Sequence, residues 1–349
     1  MVETVLYEQR GRASIITLNR PRAINALSLE MVRRISQLLR RSVEDEGVDL
    51  VLLRGTGERG LCAGGDIVDL YHDARAGGSA SAQFWSEEYS LNLQLARCPL
   101  PVVAIQHGLV LGGGVGVSGH ASHRIVSDST ALGLTQTAIG LVPDTGSSYL
   151  LARGDYATGA HLALTGQHAG PAEAIEAGLA DYYVPQSRLE QLCAELIDSG
   201  DPSIIAECAV PAPVRWTLGT AQRCEIYTPE ASPAEILRRL AACGAAGAEA
   251  AERIRSNSPL AVAITAELLR RARTMSLEDV LDLELCVSLH MQRCGEFIEG
   301  VRALLVDKDH APSWRHAAVE NVHPAEIEAA CTLITDPTIT YPSRREGEP

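Results

Sequence analysis

Gly112-Gly-Gly-Val-Gly-Val-Ser-Gly-His120 follows the apolar run Pro101-Val-Val-Ala-Ile105 and is the strongest single signal in the chain. Three consecutive glycines at a helix start leave backbone N–H groups free to face a ligand, and they let the helix pack tightly on a sheet. Glycines 114, 116 and 119 also satisfy G-x-G-x-x-G, the pattern of a dinucleotide-binding turn. That reading fails because the motif lies deep in the chain and no acidic residue follows at the ribose-binding distance, positions 131–143 holding none. Ser118 lies near a nucleophile-elbow pattern, but His120 breaks G-x-S-x-G.

A second glycine turn, Gly60-Leu-Cys-Ala-Gly-Gly-Asp66, follows the apolar run at 50–54 and precedes Ile67-Val-Asp-Leu-Tyr71. Alone it reads as a turn in which Asp66 caps a helix. Two such turns, each after a strand, allow one N–H from each to converge on a carbonyl oxygen as an oxyanion hole. Further strand-like runs are Ser14-Ile-Ile-Thr-Leu18 and His123-Arg-Ile-Val-Ser127. Between the first two strands, Leu29, Val32, Ile35, Leu38 and Leu39 recur at helical spacing behind a capping Ser28. Strands alternating with helices predict an α/β layered fold.

A chain of 349 residues with 46% hydrophobic and 21% charged residues can bury a core without disulfides or metals. The net charge of −14 argues against nucleic acid as a partner. Of 30 basic residues only Lys308 is lysine, so an anionic ligand must be held by arginine, backbone N–H groups or helix N-termini. This bias, with abundant Ala and Gly, points to a GC-rich bacterial genome. Nine scattered cysteines with no C-x-x-C pair give no support for a metal site and read as reduced thiols in a cytoplasm. The first residues lack the basic and apolar regions of a signal peptide, and the apolar tract from Pro99 to Gly119 is too broken by glycine to be a membrane span.

Four ordered motifs carry a resemblance: Leu18-Asn-Arg-Pro-Arg-Ala-Ile-Asn-Ala-Leu27, Leu61-Cys-Ala-Gly-Gly-Asp66, Gly112-Gly-Gly-Val-Gly116 and Gln136-Thr-Ala-Ile-Gly-Leu-Val-Pro-Asp144. Together they resemble the enoyl-CoA hydratase/isomerase (crotonase) superfamily over about residues 5–320. The stretch Phe297 to Asp309, followed by Pro312-Ser-Trp314, is especially similar to its branch of 3-hydroxyisobutyryl-CoA hydrolases, which act in valine breakdown. The resemblance implies a crotonase-type ββα spiral with a helical C-terminal region, and an acyl-CoA substrate whose coenzyme A is part of the substrate, with no separate cofactor. It implies an oxyanion hole from the N–H groups of Gly65 and Gly113. Arg20, Arg22, Ala26, Ala63, Gly64, Asp66 and Gly112 would contact the acyl-CoA, the two arginines through its phosphates. A homo-oligomer is expected.

The reaction turns on two positions. A hydratase of this superfamily uses one glutamate two residues after the glycine triplet and another twenty residues later; here these are Gly116 and Gln136. Without that pair, water cannot be added across a double bond by acid–base catalysis. The hydrolase branch resembles this chain in having glycine at the first position, and it keeps an aspartate, present as Asp144. It has glutamate where this chain has Gln136, and an amide is no base at neutral pH. Thioester hydrolysis assisted by Asp144 is therefore expected. The alternatives are hydratase or isomerase chemistry, or an acyl-CoA-binding protein with little turnover. Asp144 also reads as a cap for a helix from Ser147, and the hydroxyls of Thr145, Ser147 and Ser148 as satisfying helix N–H groups. His107, His120, His123 and Cys62 read as packing residues.

By organisation, residues 1–200 are expected to form the spiral core, 201–250 an irregular linker rich in proline, 251–341 a helical region and 342–349 a disordered tail. Helices are predicted over Pro259 to Leu285 and Leu289 to Leu305, with Gly300 a weak point in the second.

Overall fold

The computed structural model describes residues 3–334 and 339–343, and its contacts divide the chain into two compact units. Residues 344–349, most of the expected tail, lie outside the described residues; Ser343 is anchored, its N–H donating to Asp282 at 3.1 Å.

The first unit comprises residues 1–65, 90–133 and 169–215. Its main sheet has six strands: β1 (Val5–Arg10), β2 (Ala13–Leu18), β3 (Leu50–Gly55), β4 (Val102–Gln106), β6 (His123–Val126) and β8 (Tyr182–Tyr183), in the order β1-β2-β3-β4-β6-β8. Only the β1–β2 hairpin is antiparallel; from β2 onward every pair is parallel, with Ile15 beside Leu52 and Ile105 beside Ile125. Between them lie β5 (Leu109–Leu111) and β7 (Ala131–Gly133), which pair in a second, parallel sheet. Each turn of chain thus lays one strand on the main sheet and the next on the small one, β4 then β5, β6 then β7. Single bridges extend the small sheet, joining Cys62 to Val110 and Leu132 to Ala169. This is the ββα spiral.

The strands predicted at 14–18, 50–54, 101–105 and 123–127 fall within a residue of those observed. β1 shows why it was not seen: its burial alternates only weakly, with Glu8, Gln9 and Arg10 all exposed. β2, in contrast, is buried on both faces. Ile15, Leu52, Val103 and Ile125 pack on Leu189, Leu192 and Leu196 of the helix Gln186–Ser199. Each such side chain, fully buried, stabilises the fold by about 1.5–3 kcal/mol. The helix Leu29–Glu44 buries the predicted stripe Val32, Ile35, Leu38 and Leu39, and Ser28 caps it by accepting from the Met31 N–H.

The second unit comprises residues 66–89, 134–168 and 216–349 and is helical. The stretch expected to be an irregular linker carries the helices Ile205–Cys208, Thr220–Ile226, Pro233–Ala241 and Gly244–Ser256. Part of the reason is positional. Pro233 sits in the first turn behind a capping Ser232, where its missing N–H costs nothing. The C-terminal helices run Pro259–Ala272, Leu277–Arg293 and Glu296–Val301, with a π-helical turn at Arg302–Val306. Gly300 is a contact, not a weakness: a Cβ there would lie 2.3 Å from the Ile139 carbonyl carbon. Gly140, with φ +69°, likewise leaves no room, its Cβ falling 2.2 Å from the Glu296 carbonyl oxygen. Among the described residues no helix is long and apolar enough to cross a membrane.

Candidate active site

In the first unit the two glycine turns are brought together. The segment 60–65 runs beside β5: Leu61 N–H donates to His107 C=O at 2.9 Å, and Leu111 N–H to Cys62 C=O at 2.9 Å. The contact is close because Gly114 lacks a side chain; a Cβ there would stand 2.4 Å from the Cys62 carbonyl oxygen. Gly64 has φ +101°, and a Cβ built on it would lie 3.1 Å from Leu111 O and 3.5 Å from Gly113 N. The Gly113 N–H thus opens the helix Gly113–Gly119 directly beside the first turn. Among the described residues neither the Gly65 N–H nor the Gly113 N–H donates to a protein acceptor. Adjacent donors without partners, one at a helix N-terminus, suit a carbonyl oxygen that gains charge.

The other residues expected there fall as follows. Gly112 caps the same helix with φ +47°, a conformation that suits glycine. Leu27 N–H donates to Gly64 C=O at 2.8 Å and Ala63 N–H to Ile24 C=O at 2.9 Å, so Ala26, Ala63 and Gly64 share one wall. Asn25, fully buried, ties the wall down by donating to the Gly60 and Leu61 carbonyls. Arg20 donates to Ala26 C=O at 2.6 Å, while Arg22 is exposed. Cys62 is buried and its thiol points to Asn25 C=O, a packing role. His107 bonds Gly57 C=O and His123 stacks on Tyr182, as packing residues do.

The second unit holds the carboxyl chemistry. Asp66 precedes the helix Ile67–Arg75 without a side-chain cap bond. Asp144 is buried; its Oδ2 accepts from the Tyr89 hydroxyl at 2.7 Å and its Oδ1 from Gln136 Nε2 at 3.0 Å. The expected capping role is thereby corrected. Gly146 is the N-cap of the helix Ser147–Leu151, and Glu284 satisfies its free donors, accepting from Gly146 N–H at 2.6 Å and Ser148 N–H at 3.0 Å. The Thr145 hydroxyl turns instead to Asp144 C=O, and Ser148 to Pro143 C=O.

Burial raises the Asp144 carboxyl, while the Tyr89 and Gln136 bonds act to keep it ionised. Burial, with the charge of Asp144 in addition, holds Glu88 well above the usual carboxylate range. Burial likewise pushes Glu284 up to about 8, against the bonds from Gly146 and Ser148. Glu88, Tyr89, Glu284 and Ser288, whose hydroxyl lies 3.1 Å from that of Tyr89, are the members that the sequence does not announce. One signal was available: Glu284 and Ser288, four residues apart, interrupt the stripe Val280, Leu281, Val287 and Met291 on a buried helix.

Glu284 has a measurable consequence. Its folded pKa lies above its ordinary 4.5, so its contribution is fully present below pH 4.5 and lost as pH rises through about 8. Unfolding free energy from urea titrations should fall across that window by up to about 1.4 kcal/mol per pH unit for this group. Glu284→Gln should flatten the slope; an unchanged slope would assign it to another carboxyl.

A ββα spiral with unpartnered glycine N–H donors and a separate buried carboxyl cluster defines an α/β enzyme of the crotonase type. The chain belongs to the enoyl-CoA hydratase/isomerase family, whose model matches residues 13–331. Among its relatives, the mitochondrial 3-hydroxyisobutyryl-CoA hydrolase of Gallus gallus is 35% identical over 330 residues, 91% of this chain and 86% of that one. The 3-hydroxyisobutyryl-CoA hydrolase 1 of Arabidopsis thaliana is 35% identical over 93% and 90% of the two chains. The solved structure of a carnitinyl-CoA dehydratase from Mycobacterium thermoresistibile matches with a TM-score of 0.91 and 40% identity, covering 99% of this chain and all of that one.

Proposed function

We propose that this chain hydrolyses short-chain acyl-CoA thioesters of the 3-hydroxyisobutyryl-CoA type. The observation that carries the reading is the carboxyl set: Asp144 is buried and aligned by two donors, whereas positions 116 and 136 hold glycine and glutamine. That set can activate a water, but it lacks the two glutamates of a hydratase. The names of the relatives at 35% identity support the same choice.

In this reading the N–H groups of Gly65 and Gly113 take the thioester oxygen as it becomes an oxyanion, each donor contributing about 3–4 kcal/mol to the transition state. Asp144 receives the proton of the attacking water. Arg20 and Arg22 hold the coenzyme A phosphates, with Ala26, Ala63, Gly64, Asp66 and Gly112 along the acyl-CoA. No cofactor beyond the substrate's own coenzyme A is needed. A homo-oligomer in a bacterial cytoplasm is part of the proposal, resting on composition and resemblance, although the animal relatives are named mitochondrial.

A second reading, hydration or dehydration of an acyl-CoA, is favoured by the name of the dehydratase matched at 40% identity. Two assays separate the readings. Release of free thiol from 3-hydroxyisobutyryl-CoA supports hydrolysis. Hydration of crotonyl-CoA or dehydration of carnitinyl-CoA, without thiol release, supports the second.

A further inference from the structure

We infer that Glu88 is the acid of the reaction, donating the proton that the departing thiolate needs and so filling the role that Gln136 cannot. The inference rests on the hydrolase reading and deepens it. Glu88 lies on the helix Ala80–Ala96, next to Tyr89, whose hydroxyl grips Asp144. It is only 2% exposed, and its Oε1 has no hydrogen-bond partner among the described residues. The Gln136 Oε1, in the same Asp144-centred cluster, is also buried without a partner. A buried carboxylate left without donors is costly and is tolerated as the neutral acid.

The two carboxyls near each other are treated unequally. Asp144 has two donors, from Tyr89 and Gln136, and Glu88 has none, so the shared proton resides on Glu88 and the charge on Asp144. Glu284 on the helix Leu277–Arg293 adds a further acid to the cluster, and its oxygens are already committed to Gly146 and Ser148. Among the members of this cluster Glu88 is therefore the one with a proton to give and no structural bond to break.

The steps balance. Water adds to the thioester carbon as its proton passes to Asp144, giving a tetrahedral oxyanion. The C–S bond then breaks, its electron pair leaves on sulfur, and the Glu88 proton completes the thiol of coenzyme A. The released acid ionises into water, and the proton on Asp144 moves to Glu88 to restore the starting state.

The test compares two leaving groups. Wild type and Glu88→Gln are assayed on 3-hydroxyisobutyryl-CoA and on the 4-nitrothiophenyl ester of the same acid, whose thiolate departs without protonation. Glu88→Gln should lower kcat on the coenzyme A ester by about 10²–10³-fold and leave the aryl thioester little changed. Its urea midpoint should be no lower than wild type, because the variant removes a buried acid that no hydrogen bond supports. Equal loss on both esters, or loss on neither, overturns the assignment. A wild type that cleaves neither ester rejects the hydrolase reading on which it rests.

Discussion

Gly113→Pro is expected to lower kcat by about 10²–10³-fold while leaving the fold in place. The substitution is chosen for what it spares. Gly113 is the first residue of its helix, where proline's fixed φ is acceptable and where the N–H has no intrahelical partner to lose. The donor itself disappears, and the ring occupies the space in front of it. Steady-state hydrolysis beside the thermal unfolding midpoint checks the result. A proline variant with full activity would remove Gly113 from the chemistry and leave it a packing residue.

Asp144→Asn should cost about 10²–10⁴-fold in kcat with little change in KM, because the amide keeps the shape but cannot take the water proton. Retained activity would return the residue to a structural role. Gln136→Glu gives a different result from the one that the sequence suggests. By residue type alone, restoring the acid supplies a missing group and should raise hydrolysis. In the structure, Gln136 Nε2 lies 3.0 Å from Asp144 Oδ1, so a glutamate there must share a proton with Asp144. With Glu88 already holding a proton nearby, the gain is expected to stay below about 10-fold. A gain of 10² or more would instead make position 136 the missing acid and count against Glu88.

The layered α/β core was legible because β2, β3, β4 and β6 are short and apolar. The spiral itself was expected only from the family resemblance, and β5, β7 and β8 are two to three residues long, too short to carry a pattern. Leu50–Leu53 and Val102–Gln106 are buried, and a glycine turn follows each within about six residues, the second after the short β5. The glycine half of the candidate site was legible as well, since backbone donors announce themselves through residues that lack side chains. The carboxyl half was only partly so. Asp144 and Gln136 sit eight residues apart on one loop and could be read together. Glu88 and Glu284 are brought to that loop by helices 56 and 140 residues from Asp144 in sequence. Nothing local distinguishes them from solvated surface acids except the apolar company of their helix faces. The helices of 201–250 were hidden differently: prolines that open a helix carry the same letter as prolines that forbid one.

The contact at Gly300 bears on how such an enzyme could be made more heat-resistant. A designer scanning for glycines inside helices would rank this one highly, since alanine is ordinarily worth about 1 kcal/mol there. Here the methyl group would meet the Ile139 backbone at 2.3 Å, inside the turn Gln136–Ile139 that presents Gln136 to Asp144. A substitution recommended by propensity tables would therefore push on the reacting groups from 164 residues beyond Gln136 and 156 beyond Asp144 in sequence, trading catalysis for a stabilisation that the crowded backbone would not deliver.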